Sequence, residues 1–186
     1  ASLYFSPSSG SYTIGQTFSV SVYVSSADQA MNAASGIISF PSDKLEVSSL
    51  SKTGSIMNLW VQEPLFSNGA GTANFEGIVL NPGFTGQSGK IITLNFKVKS
   101  AGAGNLAFSS GSVLANDGKG TNILTGLGSA NFNLNVAAIG PQAPEATTPA
   151  VSAGVPLAPK ISSPTNPDPE KWYSDSNPKF IWTVPS

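Results

Sequence analysis

Residues Ala34–Leu50 read ASGIISFPSDKLEVSSL. In an extended chain alternate side chains share a face, so Gly36, Ile38 and Phe40 point the same way. Pro41 has no N–H to give to a ladder and stops that strand. Ser42 and Asp43 can hydrogen-bond nearby backbone, as turn residues do. Leu45 and Val47 then resume an apolar face. The stretch predicts a strand, a tight corner and a second strand.

The same grammar extends in both directions. Leu3–Phe5 is a short apolar strand, followed by a loop over Pro7–Gly10. Thr17–Val24 alternates, with Phe18, Val20, Val22 and Val24 on one side and Ser19, Ser21 and Tyr23 on the other. That is the pattern of a sheet with one buried and one wet face. Asp28–Asn32 reads as a loop. Beyond the corner, Met57–Gln62 reads as a strand ended by Pro64, and Thr72–Leu80 as a strand ended by Pro82. Gly83, Gly86 and Gly89 predict a flexible connection. Lys90–Lys99 alternates most regularly, with Ile92, Leu94, Phe96 and Val98 inward. Asn105–Phe108 and Ser112–Leu114 read as two short strands, and Ala130–Val136 closes the series. No window carries a helical period. About nine short strands joined by Gly/Pro turns predict an all-β, nine-stranded β-sandwich with jelly-roll topology.

This unit is expected to span residues 1–136. Composition then changes. Ala137–Pro159 is rich in Pro, Ala and Thr without alternation, which predicts an extended linker over residues 137–159. Apolar side chains return in residues 160–186, with Trp172, Tyr173, Phe180, Ile181 and Trp182. This last piece resembles the first strands of a bacterial Ig-like or fibronectin-III-like module. Such folds need about seven strands, so it is expected to be the truncated start of a second β-module.

Composition excludes several functions. The chain has nine Lys, no Arg, ten acids and a net charge of −1, so it lacks the basic footprint of a nucleic-acid binder. It has no Cys and no His. That removes thiol nucleophiles, imidazole bases and the usual zinc ligands together. The acids are spread singly along the chain, which gives no sign of a paired-carboxylate hydrolase. No enzymatic activity and no cofactor are expected. No run approaches the ~20 apolar residues of a spanning helix. The low charge and the Ser/Thr/Asn/Gly surface suit an extracellular protein of the bacterial cell surface.

The corner at Ile38, Phe40, Pro41, Asp43, Leu45, Glu46 and Val47 resembles the strand–turn–strand of cohesin domains. The run GKIITLNFKVKSAG at Gly89–Gly102 is similar to that family's late strand, and the hairpin at Val113–Gly118 fits as well. The resemblance covers roughly Leu3–Val136. It implies a jelly-roll fold shared with carbohydrate-binding modules, and a scaffolding role in which a protein partner, a dockerin in that family, is attached. Dockerin-type calcium-loop repeats are absent from the sequence. A carbohydrate-binding module for a polysaccharide, or a structural spacer or adhesin domain, are the alternatives.

In the family, partner docking uses one sheet face that includes the third, fifth and sixth strands. Carried over by strand parity, the outward residues are Ile37 and Ser39, then Asn58, Trp60 and Gln62, then Asn74, Glu76 and Ile78. Trp60 admits two readings, an edge-filling Trp that is mostly buried or an exposed contact at the centre of this face. A polysaccharide site would call on exposed rings, for which Tyr23, Trp60 and Phe84 are the candidates. Asn116, Asp117 and Asn122 could offer oxygen ligands to Ca²⁺. Asp117-Gly118 also reads as a simple hairpin turn, and that reading is preferred because one carboxylate supplies little charge for a dication.

Overall fold

The computed structural model describes residues 1–137, 160–168, 170–174 and 177–183. The chain divides into two compact units, Ala1–Ala138 and Ile139–Ser186. Of the expected linker over residues 137–159, all but Ala137 lies outside the described residues.

The first unit is all-β. Its strands are β1 (Ser2–Ser6), β2 (Ser9–Thr13), β3 (Thr17–Ser39), β4 (Leu45–Ser51), β5 (Leu59–Ser67), β6 (Thr72–Ile78), β7 (Phe84–Val98), β8 (Gly102–Ala115), β9 (Gly126–Leu127) and β10 (Ser129–Asn135). They form one continuous ten-stranded sheet that curls into the two layers of a jelly-roll sandwich. The curl comes from β3. Its first half pairs with β1 and β7, and its second half with β6 and β8. Between the halves the register against β7 slips twice, from Val24 to Ser26 and from Ser26 to Met31. Bulges of this kind bend a strand and let it change layers.

That bend explains three differences from the sequence reading. Asp28–Asn32 is not a loop; Asp28 and Gln29 are exposed strand residues within the irregular middle of β3. The glycine-rich segment after Pro82 is not a free connection either, because β7 starts at Phe84 and pairs with the same irregular region at Met31. Asn105–Phe108 and Ser112–Leu114 are parts of one strand, β8, which follows β3 around the curl with a register shift between Ile37 and Ile38. The two-residue β9 and the separate β2 bring the number of strands to ten.

The Ala34–Leu50 stretch forms the predicted strand, corner and strand. Pro41 ends the ladder just after β3, and its carbonyl accepts the N–H groups of Lys44 and Leu45 at 3.0 and 2.9 Å. Ile38, Leu45 and Val47 are buried, as is Phe40. One core fills the space between the layers. Phe5 of β1 stacks on Phe108 of β8 with ring centroids 4.4 Å apart. Phe18 of β3 meets Phe96 of β7 at 5.6 Å and Phe132 of β10 at 5.0 Å. The alternating residues Phe18, Val20, Val22 and Val24, and Ile92, Leu94, Phe96 and Val98, are all buried. Burial at ~25 cal/mol per Å² of apolar surface is the main term holding such a sandwich together.

In the second unit, β11 (Lys160–Ser162) and β12 (Ile181–Thr183) form an antiparallel pair with Ile161 opposite Trp182. Ser163 donates its hydroxyl to the Lys179 carbonyl at 2.7 Å and accepts the Asn166 N–H at 3.0 Å. Ile161, Phe180, Ile181 and Trp182 are exposed. Among the described residues there is no helix long and apolar enough to cross a membrane.

Candidate partner-docking face

Four strand segments, β5, β6, the second half of β3 and the second half of β8, lie side by side in that order. Residues in register across an antiparallel sheet point to the same side. The inward set is clear: Ala34, Ile38, Ala73, Phe75 and Val113 are buried, and Gly36 faces Phe75. The outward set falls into rows that cross the strands. Leu59, Ile78, Ala33 and Leu114 make an apolar row. Gln62, Glu76, Ser35 and Ser112 make the next, which is polar. Leu65, Asn74, Ile37 and Ser110 make a mixed row, and Ser67, Thr72 and Ser39 follow with Ala107.

The face is therefore apolar at its β5 edge. Ile37, Leu59, Val61 and Leu65 are 42, 55, 56 and 54% exposed. Two shallow depressions adjoin on it. One of about 380 Å³ is lined by Ile37, Gln62, Asn74 and Ser110 among others. The other, of about 220 Å³, is lined by Val61, Ile78 and Leu114 among others. Ser35, Glu76 and Ser112 line both.

Of the eight residues that strand parity placed outward, Ile37, Ser39, Gln62, Asn74, Glu76 and Ile78 lie on this face. Ser39 also donates its hydroxyl to the Ala107 carbonyl at 3.2 Å. Asn58 lies just before β5, where its side-chain oxygen accepts the Leu80 N–H at 2.9 Å. Trp60 is the exception. It stands opposite Gly77, on the inward side of β6, and packs partly buried against the core. Gly77 itself lies against Met57, whose side chain an added Cβ would approach to 3.0 Å. Lys52 covers the Trp60 ring, with Nζ 5.8 Å from its centroid, and pairs with Glu63 at 2.7 Å.

Simple parity misplaces Trp60 because β5 bulges directly after it. The register slips between Trp60 and Gln62, and again between Gln62 and Leu65. Val61 is the extra residue of the first slip, and it shares the outward side with Gln62. The second slip contains Pro64. β5 pairs with β6 alone, so it is an edge strand, where a residue without an N–H is tolerated. Pro64 therefore does not end the strand as expected. Leu59, Val61 and Leu65 are the exposed apolar residues of β5 that parity missed. The signal was present as four large apolar residues, Leu59, Val61, Leu65 and Phe66, around a proline.

The rings that a polysaccharide site would need do not form a row. Tyr23 stacks on Tyr4 with centroids 5.5 Å apart, and Phe84, like Trp60, packs against the core. The calcium candidates turn to different partners. Asp117 accepts the Thr121 hydroxyl with one oxygen and the Lys119 N–H with the other. These two donors hold its carboxyl below the ordinary carboxylate range. Asn116 donates to the Pro82 carbonyl at 2.8 Å, and Asn122 accepts the Leu124 N–H at 3.1 Å. The Asp117 and Asn122 oxygens already accept hydrogen bonds from the protein, so the thermal midpoint is expected to be the same with and without EDTA. A fall of several degrees that Ca²⁺ restores would reveal a structural site.

No protein-family model matches the sequence, and no curated protein matches it. Solved structures do match its fold. A non-cellulosomal cohesin from the archaeon Archaeoglobus fulgidus is 18% identical, with a TM-score of 0.55 over 72% of this chain and 89% of that one. A Clostridium thermocellum cohesin, solved in a cohesin–dockerin complex, is 12% identical, with a TM-score of 0.59 over 72% of this chain and 99% of that one. A cohesin module from a family 33 glycoside hydrolase of Clostridium perfringens is 12% identical, with a TM-score of 0.56 over 68% and 91%. The chain thus shares the β-sandwich fold of solved cohesin modules.

Proposed function

We propose that the cohesin-like unit is a non-catalytic docking module of a modular extracellular scaffold, and that it takes a dockerin-like protein partner on the β5–β6–β3–β8 face. The observation that carries this reading is the exposed apolar cluster of Ile37, Leu59, Val61 and Leu65 on one sheet face. Apolar residues scattered singly need no explanation, but a cluster rimmed by small polar groups marks an interaction surface. Ser35, Ser39, Ser110 and Ser112 supply that rim. The cohesin–dockerin complexes among the fold's neighbours support a protein as the partner. The absence of His and Cys supports a role in binding rather than catalysis.

The test uses immobilised wild-type protein and the double variant Ile37→Asp/Val61→Asp against secreted proteins of the encoding organism, followed by affinity measurement with the purified partner. A hot-spot truncation often costs ~2 kcal/mol, about 30-fold in affinity. The double variant should lose at least that much while its thermal midpoint stays near that of the wild type, since exposed substitutions usually change stability by no more than ~0.5 kcal/mol. Equal retention by both proteins would move the site off this face. Retention of nothing by the wild type would favour a spacer.

A further inference from the structure

β4 pairs only with β7 and β5 only with β6, so no ladder closes the sandwich between β4 and β5. Asn68, in the turn between β5 and β6, spans that gap with its side chain. Its Oδ1 accepts the Val47 N–H at 2.7 Å, and its Nδ2 donates to the Val47 carbonyl at 2.9 Å. In an antiparallel ladder a residue exchanges this same pair of bonds with the residue opposite. The Asn68 carboxamide, which both accepts and donates, therefore stands in for one residue of a missing strand. The residue that follows is Gly69, and Asn68 is the one asparagine of the chain that precedes a glycine. Gly69 is exposed, an added Cβ there would meet nothing within 4 Å, and its N–H makes no hydrogen bond among the described residues.

From this union of a latch and a reactive sequence we infer that Asn68 is a modification site, where deamidation irreversibly releases the edge of β4. The Gly69 nitrogen gives up its proton to solvent and attacks Cγ of Asn68. The new C–N bond closes a succinimide ring, the Cγ–Nδ2 bond breaks, and ammonia leaves. Water then opens the ring at either carbonyl, which yields aspartate or isoaspartate. Glycine favours the attack because it sets no side chain beside the nitrogen. The latch opposes it. Ring closure makes Nδ2 the leaving group and draws Cγ onto its own main chain, so both bonds to Val47 have to be given up. The reaction therefore proceeds through local openings of the turn. Its product cannot latch again. A carboxylate only accepts, so the Val47 carbonyl loses its donor and faces another acceptor. β4 is left with an unpaired edge at Val47.

The full chain is incubated in mildly alkaline buffer made with heavy-oxygen water, either folded or unfolded in urea, and is mapped by peptide mass spectrometry. Asn68 should become aspartate and isoaspartate with uptake of the heavy oxygen, at least tenfold more slowly in the folded protein. The same opening frees the Val47 N–H. The factor by which folding slows conversion should therefore match, within about threefold, the protection of that N–H against hydrogen exchange. The deamidated protein, separated by its added negative charge, should melt several degrees below its parent. No conversion at Asn68 in the unfolded chain would overturn the site. Equal rates in the two states, or a factor unrelated to Val47 protection, would overturn the latch. A deamidated protein that melts with its parent would overturn the release of β4.

Discussion

Phe96→Ala should lower the unfolding free energy by ~3–5 kcal/mol, the range for removing a fully buried phenylalanine. Phe96 is 0% exposed, near the C-terminal end of β7, opposite Phe18 on β3 and Val47 on β4. Its ring lies 5.6 Å from that of Phe18 and 5.4 Å from that of Phe40. It therefore links three parts of the chain: the regular start of β3, the strand after the corner, and the corner itself. Alanine removes the transfer term and leaves a cavity that neighbours held in ladders cannot readily fill. Urea unfolding measures the loss, and an unchanged slope would show that the two states compared are the same. Lys97→Ala is the internal control. Lys97 points outward, and its pair with Glu46 at 3.6 Å is exposed, so its loss should cost ~0–1 kcal/mol. A Phe96→Ala loss as small as that of Lys97→Ala would mean that the layers are not held by a shared core.

The strands that could be read correctly from sequence share one property: they are regular. In Thr17–Val22 and Ile92–Lys97 polar and apolar residues alternate, the two segments pair without a slip, and the expected sides are buried. The corner was legible because Pro41 must leave the ladder and Ser42 and Asp43 favour turns. What alternation cannot report is a slip in register. One inserted residue reverses every side chain after it without changing composition. That is why Trp60 falls inside while Gln62 falls outside, and why the middle of β3 looked like a loop. On the docking face, the six residues placed by parity lie on β3 and β6, whose mutual pairing has no slip, and at Gln62, which two errors in β5 happen to restore. The apolar edge itself was missed because Pro64 suggested a strand end. A proline on an edge strand carries no such meaning, but edge status belongs to the sheet as a whole and is not written in the local sequence.

Gly71→Ala should destabilise the unit by ~2–5 kcal/mol, for two separable reasons. Gly71 has φ +65° in the turn between β5 and β6, a conformation that costs a side-chain-bearing residue ~1–2 kcal/mol. A Cβ on Gly71 would also lie 2.4 Å from the Phe40 carbonyl oxygen. That oxygen belongs to the backbone of the corner, and it cannot swing aside as a side chain would. The Gly71 carbonyl in turn accepts the Phe40 N–H at 2.8 Å, so moving one segment away from the other breaks the bond that joins them. Crowding of this kind typically adds ~1–3 kcal/mol. Gly118→Ala isolates the first reason. Gly118 has nearly the same φ, +69°, but nothing lies within 4 Å of its added Cβ, so only the conformational cost should appear there. The difference between the two losses, measured by urea unfolding under one set of conditions, is the cost of pushing the β5–β6 turn away from the corner. Equal losses would show that the corner yields without cost, and that Phe40 is not held in place by the turn beside it. A larger loss at Gly71 would show that the stretch from Ala34 to Leu50 is fixed by a backbone contact from outside it as well as by its own proline and turn residues.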